Sequence, residues 1–481
     1  MAARFRGLAL TFGDILLEPA KSDISPIEIR LEAQLTKNIK VNTPIISAAS
    51  DTVTEASMAI AMARMGGIGV IHRNLSVEEQ ANQIRLVKRS ESSLIQDPIT
   101  LRPQASLQEA VELMETYQIS GVLVVNDNRL KGIITSRDLR LEEKLNKKVA
   151  DVMTKENIVT AKVGTTLEEA EKILKKYKIE KLPIVDKEGV LRGLITWKDL
   201  TKRKQFTLAL KDKMGRLMVA AAIGVGEDML RRASALVREG VDVLVIDTAH
   251  GHHQNVLKAL PLLKKSFPKV QVIAGNIATA QAAADLIKKG ADAIKIGVGS
   301  GSICTTRDIA GAGVPQFTAV LECAKAANRY KVPVVADGGI VYTADIVKAL
   351  AAGASTVMLG SVVAGTDEAP GEVIISSDGR RFKRYRGMGS FQAMKVRGHD
   401  RYFRKDVAEG ISARVSYKGP VSNVLKKLIS SLKTSMGYYG AEKIEDLWKV
   451  RYWQVTQAGI KESHPHSVTF DSDSSAALDI V

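Results

Sequence analysis

Residues 332–361 read VPVVADGGIVYTADIVKALAAGASTVMLGS, and this stretch decides the fold class. It begins with an apolar run at 332–336 that ends in Asp-Gly-Gly. It continues with helical periodicity over 344–352 and closes with a second apolar run at 356–359 that ends in Gly-Ser. Short continuous apolar runs are typical of buried parallel strands, and a helix between two of them makes a βα unit. The stretch therefore predicts one complete βα unit and the strand of the next unit.

The same alternation extends over most of the chain. Further strands are predicted at 44–48, 68–71, 241–246, 270–274 and 293–296, and helices at 56–65 and 278–289. Gly and polar residues follow the carboxyl end of each strand, which is where a (β/α)8 TIM barrel builds its active site. An open doubly wound sheet alternates in the same way. However, no G-x-G-x-x-G opens a helix after a first strand, which disfavours a Rossmann site and favours the α/β barrel.

An internal repeat interrupts this pattern between residues 94 and 204. The segment GIITSRDL at 132–139 matches GLITWKDL at 193–200. Each copy reads as strand, amphipathic helix, strand, turn, strand and helix start, and two such units usually pack together. We predict three parts, which are 1–92 as the first part of the barrel, 93–204 as paired modules (93–152 and 153–204), and 205–481 as the remainder. The paired modules are expected to be an insertion in one βα loop.

The repeated unit resembles the cystathionine-β-synthase (CBS) module, and the pair resembles a Bateman module. The resemblance implies contacts with adenine nucleotides from the Thr-x-x-Asp that ends the third strand of each copy. These residues are Thr135 with Asp138 and Thr196 with Asp199. The alternative interpretation is that each Thr and Asp only caps the helix that follows.

Composition excludes several classes of protein. Hydrophobic residues make up 45% and charged residues 25% of the 481 residues, which excludes a wholly disordered chain. The two cysteines, Cys304 and Cys323, are too few for a disulfide scaffold or a cysteine-based zinc site, and they indicate a reducing compartment. No secretory signal and no membrane span are apparent, so we expect a cytoplasmic protein. The net charge of +16 permits nucleic acid or phosphorylated metabolites as partners, and a solvated basic surface is the plainer interpretation.

The chemistry concentrates in GVGSGSICTTR at 297–307. Its glycines allow backbone amides to approach an anion, and Ser302 adds a hydroxyl donor for a phosphate. Cys304 follows just past a predicted barrel strand, where amide dipoles and Arg307 are expected to favour its thiolate. A second phosphate cradle is predicted after the late strands, at 337–339 and 360–361. The alternative is that those glycines only turn the chain.

Motifs in order along nearly the whole chain resemble the IMP dehydrogenase family. They lie at 10–19, 47–55, 66–72, 247–252, 274–279, 299–307, 336–340, 358–365, 385–390, 401–403 and 462–466. The resemblance implies NAD-dependent oxidation of inosine 5′-monophosphate (IMP) to xanthosine 5′-monophosphate (XMP), the committed step of guanine nucleotide synthesis. It implies that Cys304 attacks the purine and forms a covalent thioimidate. It makes Arg401 the base that activates water, with Tyr402 and Thr306 supporting that step.

The resemblance also implies ligand contacts. The substrate residues are Ser302, Asp337, Gly339, Gly360, Ser361, Tyr385, Gly387, Met388, Gly389 and Glu409. The residues for the cofactor NAD are Asp247, Thr248, Ala249, Asn276 and Gly297. A monovalent cation, usually K+, is implied at Gly299, Gly301 and Cys304, with Glu462, Ser463 and His464 of a neighbouring subunit. The family further implies a mobile flap at about 386–420, a homotetramer with octamers as an open possibility, and purine nucleotides such as ATP or GTP at the paired modules.

Two positions depart from the family's pattern. Ser50 stands where a methionine is typical near the base, and Ser300 replaces a frequent proline, which is expected to loosen the loop. Two alternatives also remain open. A GMP reductase shares the barrel, the cysteine loop and the covalent intermediate, but lacks a hydrolytic flap such as Arg401-Tyr402. A non-catalytic nucleotide sensor or nucleic-acid binder also fits the charge and the paired modules, although no stripe of aromatic and basic residues supports single-strand binding.

Overall fold

The computed structural model describes residues 6–90, 95, 98–117, 119–140, 142, 144–198, 200–201, 206–396 and 407–468. The chain divides into two compact units. The first comprises residues 1–90, 208–212 and 217–481, and the second comprises 91–207 and 213–216. Each unit has an apolar core of its own.

Eight parallel strands of the first unit close into a barrel, which confirms the predicted fold class. They are β1 (Ile45–Ser47), β2 (Ile68–Ile71), β3 (Ala220–Ile223), β4 (Val243–Asp247), β5 (Gln271–Ile277), β6 (Ala293–Ile296), β7 (Val334–Asp337) and β8 (Thr356–Leu359). The strand β2 pairs with β3, although the insertion separates them in sequence, and β8 pairs with β1, which closes the ring. Strands β2, β6 and β8 reproduce the predicted ranges to the residue.

Eight helices follow the strands. They are α1 (Ala56–Arg64), α2 (Val77–Ser90), α3 (Met229–Arg238), α4 (Gln254–Ser266), α5 (Ala280–Lys288), α6 (Gln316–Asn328), α7 (Thr343–Ala351) and α8 (Val421–Tyr438). Every residue of β3, β6 and β8 is buried. A barrel strand has side chains inside the barrel on one side and helices on the other, which is why these strands are mostly apolar rather than alternating, with Lys295 of β6 as the charged exception.

Shorter elements complete the first unit. They are 3₁₀-helices at Phe12–Asp14 and Ile444–Lys449, strands at Ile15–Leu17, Ala33–Gln34, Lys40–Val41, Ile374–Ile375, Arg381–Arg386, Ser412–Ser416 and Tyr452–Gln454, and helices at Thr306–Ala310, Ser361–Ala364, Phe391–Val396 and Gln457–Glu462. The strand Arg381–Arg386 pairs antiparallel with Ile374–Ile375 and Ser412–Ser416, so one small sheet carries both ends of the predicted flap. Among the described helices, none has the length and apolar composition needed to cross a membrane.

The insertion leaves the barrel after α2, so the expectation that it lies in a βα loop is wrong. Val77, Ala81, Ile84 and Val87 bury one face of α2, and the sequence prediction did not include this helix. The insertion therefore occupies an αβ connection. The chain leaves and re-enters the barrel unit at the end where the strands begin.

A buried ion triad stabilises this exit. Lys88 near the end of α2 is 3.1 Å from Asp212 and 2.6 Å from Asp242. Asp242 also accepts a hydrogen bond from the amide of Val219 at 2.8 Å. Burial raises the pKa of Asp242, and the attraction of Lys88 only partly opposes it. Asp212 belongs to the segment that returns from the insertion. The ammonium group of Lys88 therefore joins the segment that leaves the barrel to the segment that returns to it.

The second unit contains two copies of the same arrangement. The first copy has strands Thr100–Leu101, Gly121–Asn126 and Arg129–Thr135 with helices Leu107–Tyr117, Ser136–Leu139 and Val149–Val152. The second has strands Ala161–Lys162, Lys181–Val185 and Leu191–Thr196 with helix Leu167–Tyr177. In both copies the first strand is parallel and the third antiparallel to the middle strand. The predicted turn at Asp127 and Asn128 is present, with positive φ at both residues.

Candidate active site

Cys304 lies at the mouth of the barrel, in the loop that follows β6. Its Sγ is 3.1 Å from the hydroxyl oxygen of Thr306, and that hydroxyl donates to the carboxylate of Glu409 at 3.2 Å. Because Thr306 gives its proton to Glu409, its oxygen is left to accept from the thiol. A thiol proton therefore has a path through Thr306 to Glu409, a residue 103 positions away in sequence.

The segment around Glu409 runs beside the cysteine loop as a backbone ladder. Cys304 and Gly410 form an antiparallel bridge. The amide of Ile411 donates to the carbonyl of Ile303 at 3.0 Å, and the amide of Glu409 donates to the carbonyl of Gly389 at 3.1 Å. The far end of the predicted flap is thereby attached directly to the nucleophile loop.

Contacts beneath the glycine-rich loop shape it. Gly299 has φ +71°, and a Cβ there would lie 2.5 Å from the side chain of Arg307, so only glycine fits. Arg307 donates to the carbonyls of Val298 and Val314 at 3.3 and 2.7 Å, and none of its described hydrogen bonds reaches the Cys304 thiol that it was expected to activate. Ser300 donates to the carbonyl of Asp337 at 2.9 Å. This hydrogen bond, which proline could not make, opposes the loosening expected from the missing proline.

Residues predicted to bind the phosphate converge on the hydroxyl of Tyr385. That hydroxyl forms hydrogen bonds with the side chain of Ser302 and the backbone of Ser361. A Cβ on Gly360 would lie only 2.5 Å from it. Burial raises the pKa of Tyr385, so the phenol is neutral. Gly339 has φ +81°, and a Cβ there would lie 3.3 Å from the side chains of Gln316 and Phe12.

The cavity in front of Cys304 gathers most of the predicted substrate residues. It is lined by Ala48, Ala49, Ser50, Asp247, Lys295, Ile303, Asp337, Met358, Tyr385, Arg386, Gly387, Met388, Gly389 and Glu409. These residues come from the ends of β1, β4, β6, β7 and β8 and from the segments flanking the predicted flap. The cavity is therefore at the end of the barrel where TIM barrels place their active sites.

Sequence reasoning missed Lys295, which lies on β6 and is only 2% exposed. Its ammonium is 3.1 Å from Asp247 and 2.6 Å from Asp337, and it also donates to the side chain of Asn276. Burial alone would lower the pKa of Lys295, but the two carboxylates outweigh burial and raise it. A lysine inside an otherwise apolar strand was the available signal, because a buried charge needs partners.

An ion pair anchors the start of the predicted flap. Arg386 contacts both carboxylate oxygens of Asp51 at 2.8 to 3.2 Å, and Asn74 donates to the same carboxylate at 2.7 Å. The hydroxyl of Ser50, in place of the family's methionine, donates to the carbonyl of Arg386 at 3.3 Å. The sulfur of Met388 accepts from the amide of Asp51 at 3.4 Å. The loop after β1 therefore positions the predicted base-binding residues.

The predicted cofactor residues lie together at the ends of β4, β5 and β6, but most of their polar groups are occupied. Thr248 donates to the carbonyl of Gly275 at 2.8 Å. Asn276, which follows a cis peptide bond, donates to the carbonyl of Gly297 at 2.8 Å. Of the predicted cofactor residues, Asp247 lines the cavity, whereas Thr248, Asn276 and Gly297 support its wall and Ala249 adjoins Thr248.

The predicted cation residues form two groups within one chain. Gly299, Gly301 and Cys304 share one loop, in which the amide of Cys304 donates to the carbonyl of Gly301 at 3.0 Å. Ser463 donates to the carbonyl of Gly459, and the ring of His464 packs 5.3 Å from that of Tyr342. No described contact joins Glu462, Ser463 or His464 to the loop. Among the described residues there is also no cluster of His, Cys, Asp and Glu that could hold a metal ion.

In the insertion, the first predicted nucleotide pair forms a helix cap. The amide and hydroxyl of Thr135 both donate to Asp138, at 2.8 and 2.7 Å. This is the alternative that the sequence left open, in the conformation described. Thr196 ends the corresponding strand of the second copy, whereas Asp199, Arg401 and Tyr402 lie outside the described residues.

A second cavity, which sequence reasoning did not identify, lies within the second copy. It is lined by Val163, Gly164, Thr165, Thr166, Leu167, Ile184, Arg192 and Ile195. Its wall is mostly apolar, and the last of these residues directly precedes Thr196.

Residues 9–466 match the family model described as the IMP dehydrogenase / GMP reductase domain. The chain belongs to this family. IMP dehydrogenases of Aquifex aeolicus, Halalkalibacterium halodurans and Bacillus subtilis are 55%, 53% and 51% identical to it. The matches cover 95%, 97% and 98% of the chain and the same shares of the relatives. The predicted resemblance to IMP dehydrogenase is therefore confirmed.

Two solved structures of the family are GMP reductases from Trypanosoma brucei. A variant in complex with guanosine 5′-monophosphate superimposes with a TM-score of 0.91 at 42% identity, over 96% of this chain and 98% of the other. A complex with guanosine 5′-triphosphate gives a TM-score of 0.80 at 39% identity, over 94% and 98%. At this coverage, both matches extend over the insertion as well as the barrel.

Proposed function

We propose that the protein oxidises IMP to XMP with NAD and thereby commits purine nucleotides to guanine nucleotide synthesis. The observation that carries this proposal is the hydrogen-bonded set Cys304–Thr306–Glu409 facing a cavity at the barrel mouth. Full-length identity of 51–55% to IMP dehydrogenases selects this reaction within the family.

In the first step Cys304 bonds to C2 of the purine, and its thiol proton moves towards Glu409 through Thr306. The hydrogen on C2 leaves with its electron pair, and a thioimidate remains on Cys304. NAD, when bound, supplies the acceptor for that hydride. In the second step water attacks C2 and the bond to sulfur breaks, which releases XMP and restores the cysteine. Splitting one difficult substitution into two is the general gain of covalent catalysis. Arg401 and Tyr402, with Thr306, activate the water.

The substrate is oriented by three groups of residues. The phosphate is held by Ser302, Gly339, Gly360, Ser361 and Tyr385, and the convergence of most of them on one buried hydroxyl supports this assignment. Asp337 accepts the ribose hydroxyls. Gly387, Met388, Gly389 and Glu409 contact the base from the cavity wall.

The cofactor site adjoins this cavity. Asp247 is suited to accept hydroxyls of the nicotinamide ribose, because it lines the cavity beside Cys304. Thr248, Ala249, Asn276 and Gly297 form the wall behind it.

A monovalent cation, K+, belongs to the loop of Gly299, Gly301 and Cys304. Uncharged carbonyl oxygens are donors that suit K+. Glu462, Ser463 and His464 of a neighbouring subunit complete the site, so the protein is at least a cyclic oligomer, and the family resemblance makes it a homotetramer. Replacing K+ by choline is expected to lower turnover.

The insertion is a Bateman module that binds purine nucleotides such as ATP or GTP. The cavity beside Thr196 supports this assignment, since a mostly apolar pocket with Arg192 in its lining suits a base and a phosphate. Thr135 and Asp138 contact the nucleotide once the hydrogen bonds between them have opened. Binding there shifts the balance between assemblies, including octamers. A cytoplasmic location agrees with the two free cysteines.

The deciding experiment mixes the protein with IMP and NAD in potassium buffer and records NADH by its near-ultraviolet absorbance. Steady NADH formation with stoichiometric XMP is the expected result. The second candidate is GMP reduction, which the Trypanosoma brucei structures favour. Consumption of NADPH with GMP and release of ammonia, without IMP oxidation, would replace the first function by the second.

A further inference from the structure

One buried ammonium joins three strand ends beneath the nucleotide cavity. Lys295 of β6 contacts Asp247 of β4 at 3.1 Å and Asp337 of β7 at 2.6 Å, and donates to Asn276 of β5. Its side chain is 2% exposed, and Lys295 is among the largest buried side chains of the barrel unit. The mechanism above gives Lys295 no role, although it lines the same cavity as Cys304.

The two carboxylates lie close together on either side of Lys295. Since an oxygen of each lies within hydrogen-bond distance of one nitrogen, Asp247 and Asp337 are less than about 6 Å apart. Like charges at this separation repel each other, and the ammonium that both carboxylates contact offsets that repulsion. Lys295 therefore holds the two side chains in place.

The hydrogen bonds of Asp337 are also one-sided. Lys295 and Asn276 both donate to its Oδ2, at 2.6 and 2.8 Å. Within the described part of the chain, Oδ1 accepts no hydrogen bond. An ionised carboxylate with one oxygen fixed and the other available is a suitable acceptor for a hydroxyl pair.

We infer that Lys295 is the positioning residue that fixes the carboxylate of Asp337 through its Oδ2 and presents its Oδ1 to the ribose hydroxyls of the purine nucleotide. The inference rests on the proposed function, which assigns the ribose to Asp337. The same ammonium holds Asp247 at the cofactor side, so one group orients both carboxylates. Without it, Asp337 keeps only the hydrogen bond from Asn276 and is repelled by Asp247, so its Oδ1 is displaced and the preference for a ribose over a deoxyribose is lost.

The test measures binding of IMP and 2′-deoxy-IMP by calorimetry, without NAD, to wild type and Lys295→Met. Hydrogen bonds to charged groups predict a wild-type preference for IMP of roughly 10- to 150-fold. We expect Lys295→Met to bring the ratio close to one. Lys289→Met, at an exposed lysine, should leave the ratio unchanged.

A rescue variant separates charge from structure. In Lys295→Met/Asp247→Asn the neighbouring negative charge is gone, so nothing repels Asp337 from its hydrogen bond with Asn276 and the preference should return. If Lys295→Met does not fold, Lys295→Gln takes its place and carries the same prediction, because glutamine keeps an N–H donor without the charge. A retained preference in the neutral variants, or no recovery in the double variant, would overturn the inference.

Failure of the inference is distinguishable from failure of the proposed function. Wild type that forms no NADH from IMP and NAD contradicts the function. Wild type that forms NADH while the neutral Lys295 variants keep their ribose preference contradicts only the inference. If wild type binds IMP and 2′-deoxy-IMP equally well, Asp337 does not bind the ribose hydroxyls, and the inference is overturned as well.

Discussion

Gly360→Ala tests the phosphate cradle through a single methyl group. The new Cβ would stand 2.5 Å from the hydroxyl oxygen of Tyr385 and 3.6 Å from the ring carbon that carries it. Real Cβ contacts do not occur at 2.5 Å, so either Tyr385 or the backbone of 360 must move by about 1 Å. Tyr385 is 7% exposed and is held by Ser302 and Ser361, so it cannot turn away freely.

Overpacking of this kind costs about 1–3 kcal/mol, which corresponds to IMP binding weakened by roughly 5- to 150-fold. The assay is the KM for IMP at saturating NAD, together with the IMP dissociation constant. Because none of the hydrogen bonds described for Cys304, Thr306 and Glu409 involves Gly360, kcat should fall much less than the affinity. Gly437→Ala in α8 is the matched control, since nothing lies within 4 Å of its new Cβ.

A double variant identifies the clash as the cause. Removing the hydroxyl in Tyr385→Phe relieves the shortest contact, so Gly360→Ala/Tyr385→Phe should bind IMP no worse than Tyr385→Phe alone. An unchanged IMP affinity in Gly360→Ala would refute the cradle. Equal, additive losses in the double variant would show that the methyl group acts elsewhere.

Four further outcomes are expected. Cys304→Ala should abolish NADH formation while IMP still binds. Cys323→Ala should retain turnover, because Cys323 is a buried thiol whose pKa burial raises to about 12. Equal activity of the two variants would contradict the mechanism. Arg401→Ala should give a stoichiometric burst of NADH followed by slow turnover, and loss of the burst would place Arg401 in the hydride step as well. Lys88→Met should lower the free energy of unfolding by about 3–5 kcal/mol, measured by denaturant titration, because it leaves two buried carboxylates uncompensated. Deleting residues 91–207 with a short linker should leave an active barrel that no longer responds to ATP or GTP in activity or mass, and an equal response in both proteins would locate the regulatory site elsewhere.

The sequence by itself determined the parts of the protein that depend on neighbours in the chain. The strands at 293–296 and 356–359 and the loop carrying Cys304 could be predicted because a buried parallel strand is mostly apolar, and glycine follows each of these two strands. The repeat within the insertion was visible for the same reason, since each copy encodes its own strands and turn. The predicted position of the insertion in a βα loop was wrong because the sequence analysis did not include helix α2, which ends at Ser90.

Only the tertiary structure decided which distant groups meet. Glu409 reaches Thr306, and Lys295 reaches Asp247 and Asp337, because barrel closure brings the carboxyl ends of separate strands to one mouth. Periodicity describes which face a side chain occupies along one element. It contains no information on the partner across the barrel, so the chemistry of a buried charge becomes apparent only when the ring of strands is closed.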